Sequence, residues 1–283
     1  MDTLLTRTKQ LLKTHDLRAR KGLAQHFLVD GGVVRKILTA AGLSPSDNVI
    51  EVGPGLGVLT EALAKSSGRV IAIELDNKLA DILREKYPAD GNVTIINDDI
   101  LKINPAELLA VHGIKGYKVV ANLPYYITSP VIRHFLEASL KPRLMVLMVQ
   151  RAVAKQITAP PGEMSLLSVS VQLYGKPKLA VKVPARSFYP APEVDSAVLR
   201  IDVYPESQVA VDDIPGFFSL VRAGFSANRK QIINPLAHSL KMDKNELLSL
   251  LEKAGIDPHR RAETLSVEEW RRFFNVFSRK DTK

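Results

Sequence analysis

Short apolar runs alternate with helical patterns through the first two thirds of this 283-residue chain, and this alternation restricts its fold most. Five runs have the length of single strands: residues 49–52, 70–73, 93–96, 119–121 and 144–149. Continuous apolar runs of this length are typical of parallel strands that are buried on both faces. Because parallel strands need crossover connections, the pattern predicts an α/β fold with a doubly wound, Rossmann-like sheet.

The segments between these runs have helical periodicity, at residues 33–41, 58–65, 78–86 and 129–140. Residues 165–174 fit either a strand or a helix, and we favour a helix, whereas 181–183 and 198–203 indicate two late strands. After Tyr204-Pro205, the patterns at 215–225, 232–240, 244–254 and 267–277 predict a small all-helical C-terminal domain. The predicted domains are therefore 1–205, in which residues 1–21 form a basic N-terminal segment, and 206–283.

Composition and charge narrow the functional classes. The chain has no cysteine, which excludes disulfides, zinc–cysteine sites and thiol nucleophiles. It starts without an apolar signal segment, and its longest apolar run is too short for a bilayer, so we expect a cytoplasmic protein without a membrane partner. The net charge is +9, and residues 1–36 hold eight Lys/Arg against three Asp/Glu, while 141–186 hold eight against one. These two basic blocks could bind a nucleic-acid backbone or could simply be solvated surfaces.

The stretch VIEVGPGLGVLT, residues 49–60, reads as a strand, a glycine turn and a helix. Gly53, Gly55 and Gly57 would let the backbone approach a ligand closely. Their spacing is G-x-G-x-G with Val58 following, so the stretch lacks the G-x-G-x-x-G fingerprint of dinucleotide-binding enzymes. A P-loop is excluded because no Lys-Ser/Thr pair follows the glycines. The turn therefore need not bind a pyrophosphate, and an NAD-dependent enzyme is not indicated.

Acidic residues stand at the ends of the next two predicted strands. Glu74 ends the second strand, 21 residues after Gly53, where an acidic side chain of a doubly wound sheet can accept both hydroxyls of a ribose. Asp98 and Asp99 end the third strand, and an Asp there can accept a hydrogen bond from an adenine amino group. Glu74 could instead cap a helix, and Asp99 could cap a short turn. Taken with the glycine turn, these strand ends predict an adenosine-type ligand.

The fourth predicted strand leads into ANLPYYIT, residues 121–128. Asn122 offers a side-chain oxygen, and Pro124 can direct a local carbonyl away from the strand. Two such acceptors match the two hydrogens of an exocyclic amino group, and Tyr125 can stack on a flat ring. The alternative is a proline turn with packed tyrosines, and for Tyr126 and Ile127 we predict packing alone.

These motifs resemble those of a known enzyme family. The form E-x-G-x-G-x-G, from Glu51 to Gly57, resembles the first motif of S-adenosylmethionine-dependent methyltransferases, and together with NLPY it resembles the adenine-N6 methyltransferases. Four further segments are similar to the rRNA adenine N6,N6-dimethyltransferase family: KGLAQHFL (21–28), SFYPAPEVDSAVLRI (187–201), FSANRKQIINPL (225–236) and RAETLSVEEW (261–270). The resemblance covers about residues 20–277 and favours the small-subunit branch of that family.

The resemblance implies a substrate, a methyl donor and a division of labour. The donor would be S-adenosylmethionine, and the targets would be N6 of two adjacent adenosines in a hairpin near the 3′ end of small-subunit (16S) rRNA. The partner would be the immature 30S subunit. The protein would act as a monomer and would use no metal. Residues 1–205 would form the methyltransferase domain, and 206–283 would bind RNA or the ribosome.

The resemblance also assigns residues. Six positions would bind the donor: His26, Leu28, Gly53, Glu74, Asp99 and Asn122. Five would act at the target base: Asn122, Leu123, Pro124, Tyr125 and Phe188. In this assignment Glu74 binds the ribose, Asp99 binds the adenine, and Phe188 packs against the flipped base.

The chain departs from the family pattern at Ala24, His26, Glu193 and Asn228. Imidazole, like an amide, can hydrogen-bond a carboxylate, so we expect His26 to preserve donor binding. Glu193 and Asn228 reduce positive charge and should weaken the RNA contact rather than the chemistry. Two alternatives remain: a large-subunit rRNA dimethylase of the antibiotic-resistance type, and a non-catalytic ribosome-assembly or RNA-binding factor on the same fold.

Overall fold

The structure is a computed structural model that describes residues 3–17, 25–205, 213–227 and 229–279. Two of the family departures, Ala24 and Asn228, lie outside the described residues, as do parts of the basic N-terminal segment. The chain divides into two compact units. Unit 1 comprises Met1–Ala154 with Pro177–Val203, and unit 2 comprises Lys155–Lys176 with Tyr204–Lys283.

Strands and helices alternate along the chain from strand Phe27–Leu28 to strand Leu144–Gln150. The elements in the first half of the described chain are α1 Leu4–Thr14, β1 Phe27–Leu28, α2 Gly31–Ala41, β2 Asn48–Val52, α3 Val58–Ser66, β3 Arg69–Glu74, α4 Asn77–Lys86, β4 Val93–Asn97, α5 Pro105–Val111, β5 Lys118–Asn122 and α6 Thr128–Leu136. The elements in the second half are β6 Leu144–Gln150, α7 Arg151–Ile157, α8 Leu166–Gln172, β7 Gly175–Val183, β8 Phe188–Tyr189, β9 Ser196–Val203, α9 Ile214–Gly224, α10 Ile233–Leu240, α11 Lys244–Lys253 and α12 Val267–Ser278.

Seven strands form one sheet in the order β4-β3-β2-β5-β6-β9-β7. The five strands from β2 to β6 pair in parallel, and β9 pairs antiparallel to β6. The chain moves outward from β2 through β3 to β4, and then returns to place β5 on the other side of β2. This reversal creates a topological switch point between β2 and β5, where open α/β sheets bind their ligands. The predicted doubly wound α/β fold is confirmed.

The core explains why these segments form strands and helices. Six consecutive residues of β6, from Leu144 to Val149, are buried, as expected for a strand covered on both faces. Apolar residues of α2 and α3 pack with β2, β3, β5 and β6 in a single cluster. Helix α2 begins at a cap in which Asp30 accepts hydrogen bonds from the N–H groups of Gly32 and Val33. It ends at Gly42, whose φ of 50° is left-handed.

A two-stranded ribbon and the first helix lie beside the sheet's switch point. Strands β1 and β8 pair antiparallel, so that Phe27 faces Tyr189 and Leu28 faces Phe188. Leu12 of α1 packs with Phe27, Leu56 and Leu79. The sequence patterns predicted neither the ribbon nor α1, because both depend on contacts between distant parts of the sequence.

Unit 2 contains the predicted C-terminal helices as α9 to α12, within two residues of their expected bounds. It also contains residues 155–176, which the sequence placed in the first domain. The N–H groups of Gly162 and Met164 donate to the Glu263 carbonyl at 2.9 and 3.1 Å, and these bonds join the segment to the C-terminal part of the chain. The structure therefore differs from the predicted domain division in this segment.

Candidate active site

A cavity of about 310 Å³ lies at the carboxyl ends of β2, β3, β4 and β5, at the switch point. All ten site residues expected from the sequence line it: His26, Leu28, Gly53, Glu74, Asp99, Asn122, Leu123, Pro124, Tyr125 and Phe188. Its volume is within the range of small-molecule sites. The sequence therefore identified one contiguous surface rather than scattered positions.

The glycine turn after β2 forms one wall of the cavity. Gly53, Gly55 and Gly57 have φ of 66°, 59° and 75°, a conformation that other residues rarely adopt. A Cβ on Gly57 would lie 2.7 Å from Leu83, so this position also lacks room for a side chain. At Gly53 the nearest atoms to such a Cβ are the Pro124 side chain and the Asn122 carbonyl oxygen, 3.9 and 4.0 Å away. The bare turn therefore faces the end of β5 across the switch point.

Glu74 at the end of β3 is held by backbone N–H groups. Its Oε2 accepts from Gly55 at 3.0 Å and its Oε1 accepts from Asp76 at 2.9 Å. Burial raises the pKa of Glu74, although these N–H groups oppose the rise. The alternative that Glu74 caps a helix is wrong, because Asp76 caps α4. Glu74 instead joins β3 to the glycine turn and lines the cavity with a fixed carboxyl group.

Asp99 performs the capping role that the sequence left open. Its Oδ1 accepts from the Leu101 N–H at 3.0 Å and caps the short turn Ile100–Lys102. The neighbouring Asp98 is exposed and accepts from the Asp99 N–H at 2.7 Å. Both carboxylates still line the cavity. Capping fixes the Asp99 side chain at the cavity wall.

Asn122 ends β5 with its amide already oriented. Its Nδ2 donates to the main-chain carbonyl of His26 at 3.2 Å, which leaves Oδ1 as an acceptor. The His26 ring makes a second connection, because its Nδ1 lies 2.8 Å from the Pro190 carbonyl oxygen. As a carbonyl only accepts, Nδ1 carries the proton in this contact. Residues near β1 and β8 thus position the side chain at the end of β5.

The other residues of the NLPY motif make hydrogen bonds within the fold. Leu123 is buried and its N–H donates to Met148. The Pro124 carbonyl accepts from the Ile127 N–H at 3.2 Å, which leaves one lone pair for another donor. Tyr125 bonds through its hydroxyl to Ser196 at 2.7 Å, and its ring lies 6.0 Å from the His26 ring at an angle of 27°. The ring of Tyr125 is thereby fixed at the cavity.

Two aromatic positions differ from their expected surroundings. Phe188 is only 4% exposed and belongs to the main apolar cluster, so little of its ring is free to face a base. Tyr126, for which packing alone was predicted, is 54% exposed and borders the cavity. The prediction for Tyr126 is wrong, because the short helical turn at Tyr125–Ile127 directs successive side chains to different sides.

Glu51 is the residue that the sequence analysis quoted within a motif but did not assign. It lies on β2, two residues before Gly53, and it is 1% exposed while lining the cavity. The signal was present in the sequence, because an acidic residue inside an otherwise apolar strand is expensive to bury. Four carboxyl groups line the cavity in all: Glu51, Glu74, Asp98 and Asp99. None of the described lining residues is Lys or Arg, although the chain carries a net charge of +9.

The described residues contain neither a membrane-spanning helix nor a candidate metal cluster. None of the helices in the described ranges has the length and apolar content needed to span a bilayer. Within the same ranges, no cluster of three or more His, Cys, Asp or Glu side chains could hold a metal ion.

This site can hold an adenosine-bearing cation beside a second, flat ligand. The fixed carboxyl group of Glu74, the bare glycine turn and the acidic lining suit the first ligand, while Asn122 and Tyr125 border the place for the second. The sheet and the position of the cavity define a Rossmann-like methyltransferase.

Comparison with known proteins defines the family. The model of the family described as Ribosomal RNA adenine dimethylase matches residues 16–279, and the chain belongs to this family. Membership confirms the predicted family and the predicted enzyme class, an S-adenosylmethionine-dependent rRNA adenine dimethyltransferase.

Curated relatives resemble the chain over almost its whole length. A protein of Dehalococcoides mccartyi, named Ribosomal RNA small subunit methyltransferase A, is 52% identical over 276 residues, which are 98% of this chain and 94% of the relative. A protein of the same name from Moorella thermoacetica is 45% identical, over 95% of this chain and 97% of the relative.

Solved structures resemble it as well. A crystal structure of a dimethyladenosine transferase from Plasmodium falciparum has a TM-score of 0.75 at 25% identity and covers 90% of this chain and 98% of its own. The crystal structure of the 23S rRNA methyltransferase ErmE has a TM-score of 0.71 at 28% identity, over 89% and 99% of the two chains.

Proposed function

We propose that this protein transfers methyl groups from S-adenosylmethionine to N6 of two adjacent adenosines in small-subunit (16S) rRNA. The targets are in a hairpin near the 3′ end, and the substrate is the immature 30S subunit in the cytoplasm. Support for the small-subunit substrate comes from the names of relatives at 45% and 52% identity. The observation that carries the chemistry is the meeting of an acidic, glycine-lined cavity with the oriented amide of Asn122.

The donor occupies the part of the cavity near β2, β3 and β4. Glu74 accepts from the ribose hydroxyls, Asp99 accepts from the adenine amino group, and the bare backbone at Gly53 lies beside the methionine and sulfonium part. Both carboxylates are already fixed by backbone N–H groups, which supports binding without loss of side-chain freedom. His26 and Leu28 close this side of the site. The donor supplies an electrophilic methyl group, and the surrounding carboxyl groups favour its positive charge.

Asn122 and Pro124 orient the acceptor amine. The bond from Asn122 Nδ2 to His26 leaves Oδ1 free to accept one N6 hydrogen, and the remaining lone pair of the Pro124 carbonyl accepts the other. These contacts shift the N6 lone pair out of conjugation with the ring. The gain in rate is mainly one of positioning and electrostatics, because these acceptors are fixed before the substrate binds. No strong base is needed, since the methylated product cation is acidic and loses its proton late.

Aromatic side chains hold the flipped base. The Tyr125 ring, fixed by Ser196 and His26, offers the principal stacking surface, and Leu123 keeps the turn in place from the core. Phe188 contributes an edge of its largely buried ring. Flipping a base out of its stack costs roughly a few kcal/mol, and stacking on an aromatic ring returns about 1–3 kcal/mol.

The two basic blocks, residues 1–36 and 141–186, bind the RNA backbone. Lys178 and Lys182 are exposed on β7, which is an edge strand of the sheet. Lysines on an edge strand also prevent unwanted strand pairing, so their exposure has a second explanation. We assign unit 1 to catalysis and unit 2 to RNA or ribosome binding, in a monomer that uses no metal. The affinity for RNA should fall steeply as salt concentration rises, whereas a flat dependence would contradict this assignment.

Two other functions are less well supported. A large-subunit substrate would fit the similarity to the 23S rRNA methyltransferase ErmE, but that identity is 28% against 52% for a small-subunit relative. A non-catalytic assembly factor would not need Glu74, Asp99 and Asn122 to share one cavity.

Methyl transfer to isolated substrates tests the proposal. We expect labelled S-adenosylmethionine to methylate immature small subunits and not isolated large-subunit rRNA. Asn122→Ala should lower the rate roughly 10²–10³-fold, because it removes an acceptor fixed for the transition state. Glu85→Gln, an exposed change on α4 of unit 1 and outside the cavity, is a control that should remain active. Preference for large-subunit rRNA, or a fully active Asn122→Ala variant, would contradict the proposal.

A further inference from the structure

The side chain of Glu51 has no structural partner that explains its burial. Its Oε2 is buried without a hydrogen bond to any described residue, and the same holds for the hydroxyl oxygens of Thr60 and Tyr87. These three residues surround the inner side of the glycine turn: a Cβ on Gly57 would be 3.7 Å from Thr60 Oγ1 and 3.8 Å from the Tyr87 ring. A buried polar atom without a partner needs an explanation such as a ligand, an ion or water. Glu51 also lines the ligand cavity, so a charge bound there lies close to its carboxyl group.

Like charges surround this carboxyl group. Glu74 faces it from β3, and Asp98 and Asp99 line the same cavity from the end of β4. Tyr87, after α4, is the other titratable group close enough to interact with it. Lys and Arg are missing from the described cavity lining, so the nearby charges oppose ionisation.

Burial raises the pKa of Glu51 to about 8, and the Glu74 carboxylate adds to the rise. The Thr60 hydroxyl faces the carboxyl group and opposes the rise in part, without reaching hydrogen-bond geometry with Oε2. In the empty cavity at neutral pH, Glu51 is therefore mainly protonated. A cation placed in the cavity would reverse the balance, because an opposite charge nearby stabilises the ionised form.

We propose that Glu51 senses the positive charge of the methyl donor, losing its proton when the cationic donor binds and regaining it when the cavity empties. The inference rests on the proposed function, since it takes the donor to be S-adenosylmethionine. The carboxyl O–H bond breaks, the proton passes to solvent, and the carboxylate pairs with a cationic group of the donor. No electron transfer or further reactant is involved.

The donor has two cationic groups, the sulfonium and the α-ammonium, and either could be the partner of Glu51. The product S-adenosylhomocysteine keeps the ammonium but has a neutral thioether in place of the sulfonium. If the sulfonium is the partner, methyl transfer itself removes the charge that held Glu51 ionised. Proton uptake would then accompany formation of the product and weaken its binding relative to the donor.

Calorimetric titration in two buffers with different ionisation enthalpies measures the proton exchanged on binding. At about pH 7, S-adenosylmethionine should release up to roughly 0.9 proton from wild-type protein, the fraction protonated at a pKa of about 8. As pH rises toward 8, the affinity of the protein for S-adenosylmethionine should increase by up to tenfold per pH unit. Release with S-adenosylhomocysteine as well would identify the ammonium as the partner, and release with the donor alone would identify the sulfonium.

5′-Methylthioadenosine controls for the neighbouring carboxyl groups. It carries the adenine and ribose without either cation, so any proton change at Glu74, Asp99 or His26 caused by those parts appears in its titration. We expect it to release almost no proton.

Two variants complete the test. Glu51→Gln keeps the size of the side chain and should abolish proton release while weakening donor binding roughly 10–100-fold at about pH 8. Glu85→Gln removes an exposed carboxylate outside the cavity and should keep the release. Donor binding without proton release in the wild type, or unchanged release in Glu51→Gln, would overturn the inference and leave the proposed function standing. Failure of the wild type to bind the donor would overturn both. The wild-type pH series gives the answer even if Glu51→Gln does not fold.

Discussion

Replacing Glu51 with Gln should remove a pH-dependent loss of stability of the folded state. Glu51 is 1% exposed and its Oε2 has no hydrogen-bond partner among the described residues, so ionisation leaves an uncompensated buried charge. Burial raises its pKa from the ordinary 4.5 to about 8. Between these values the folded chain keeps a proton that the unfolded chain has lost. The free energy of unfolding therefore falls as pH rises through this window.

The size of the effect follows from the two pKa values. They differ by roughly 3.5 units, so the complete loss above about pH 8 is on the order of 5 kcal/mol. About 2–3 kcal/mol of this develops between about pH 5 and pH 7. That amount is large beside the 5–15 kcal/mol by which domains are usually stable. The neutral amide of Glu51→Gln has no proton to lose, and the variant should lack this component.

Urea-induced unfolding followed by far-ultraviolet circular dichroism can measure the difference. We expect the free energy of unfolding of Glu51→Gln, relative to the wild type, to increase by about 2–3 kcal/mol from about pH 5 to pH 7. Any fixed effect of the amide cancels in this comparison. Glu85→Gln, an exposed change on α4, is the matched control and should track the wild type at both pH values. A relative stability of Glu51→Gln that is the same at both pH values would refute the reasoning.

Three further substitutions separate the roles within the cavity. Glu74→Gln should weaken donor binding roughly 10–100-fold in calorimetry with unchanged RNA affinity in filter binding, and a loss of RNA affinity instead would show that its role is misassigned. Tyr125→Phe loses the bond to Ser196 but keeps the ring, so it should be destabilised by about 1 kcal/mol in thermal unfolding and retain most of its activity. Phe188→Ala should be destabilised by about 3–5 kcal/mol because the ring is 4% exposed, and a near-normal stability would contradict its place in the core.

The sequence predicted elements whose own residues determine them. The apolar run at 144–149 became β6, Leu144–Gln150, because a strand covered on both faces needs little else to identify it. The ambiguous stretch at 165–174 contains α8, Leu166–Gln172, as favoured. Its start is fixed by a capping box in which Ser165 and Ser168 bond reciprocally. Local chemistry of this kind can be read from one segment alone.

Elements that depend on distant contacts escaped prediction. Strands β1 and β8 have two residues each, and their pairing joins Phe27 to Tyr189. Periodicity cannot appear in two residues, so no pattern could predict this ribbon. Helices α1, α5 and α7 were also missed, and the last two have only seven residues each. Short helices are stabilised mainly by tertiary packing, which sequence periodicity records poorly.

The features of the site also fall into those that the sequence predicted and those that it did not. Parallel strands end at one edge of a sheet, and this rule brought Glu74, Asp99 and Asn122 to one cavity. The bonds that orient the site could not be foreseen, because Asn122 bonds to a residue 96 positions away and Tyr125 to one 71 positions away. Glu51 was visible as an acidic residue in an apolar strand, but only the structure shows that its oxygen lacks a partner.

The central claim is that this chain dimethylates two adjacent adenosines of small-subunit rRNA. The most direct measurement incubates the protein with isotopically labelled S-adenosylmethionine and immature small subunits, digests the rRNA, and locates and counts the added methyl groups by mass spectrometry. We expect two methyl groups on N6 of each of two neighbouring adenosines near the 3′ end, added roughly 10²–10³-fold more slowly by Asn122→Ala. Methylation at a single adenosine, at another atom, or only in large-subunit rRNA would contradict the claim.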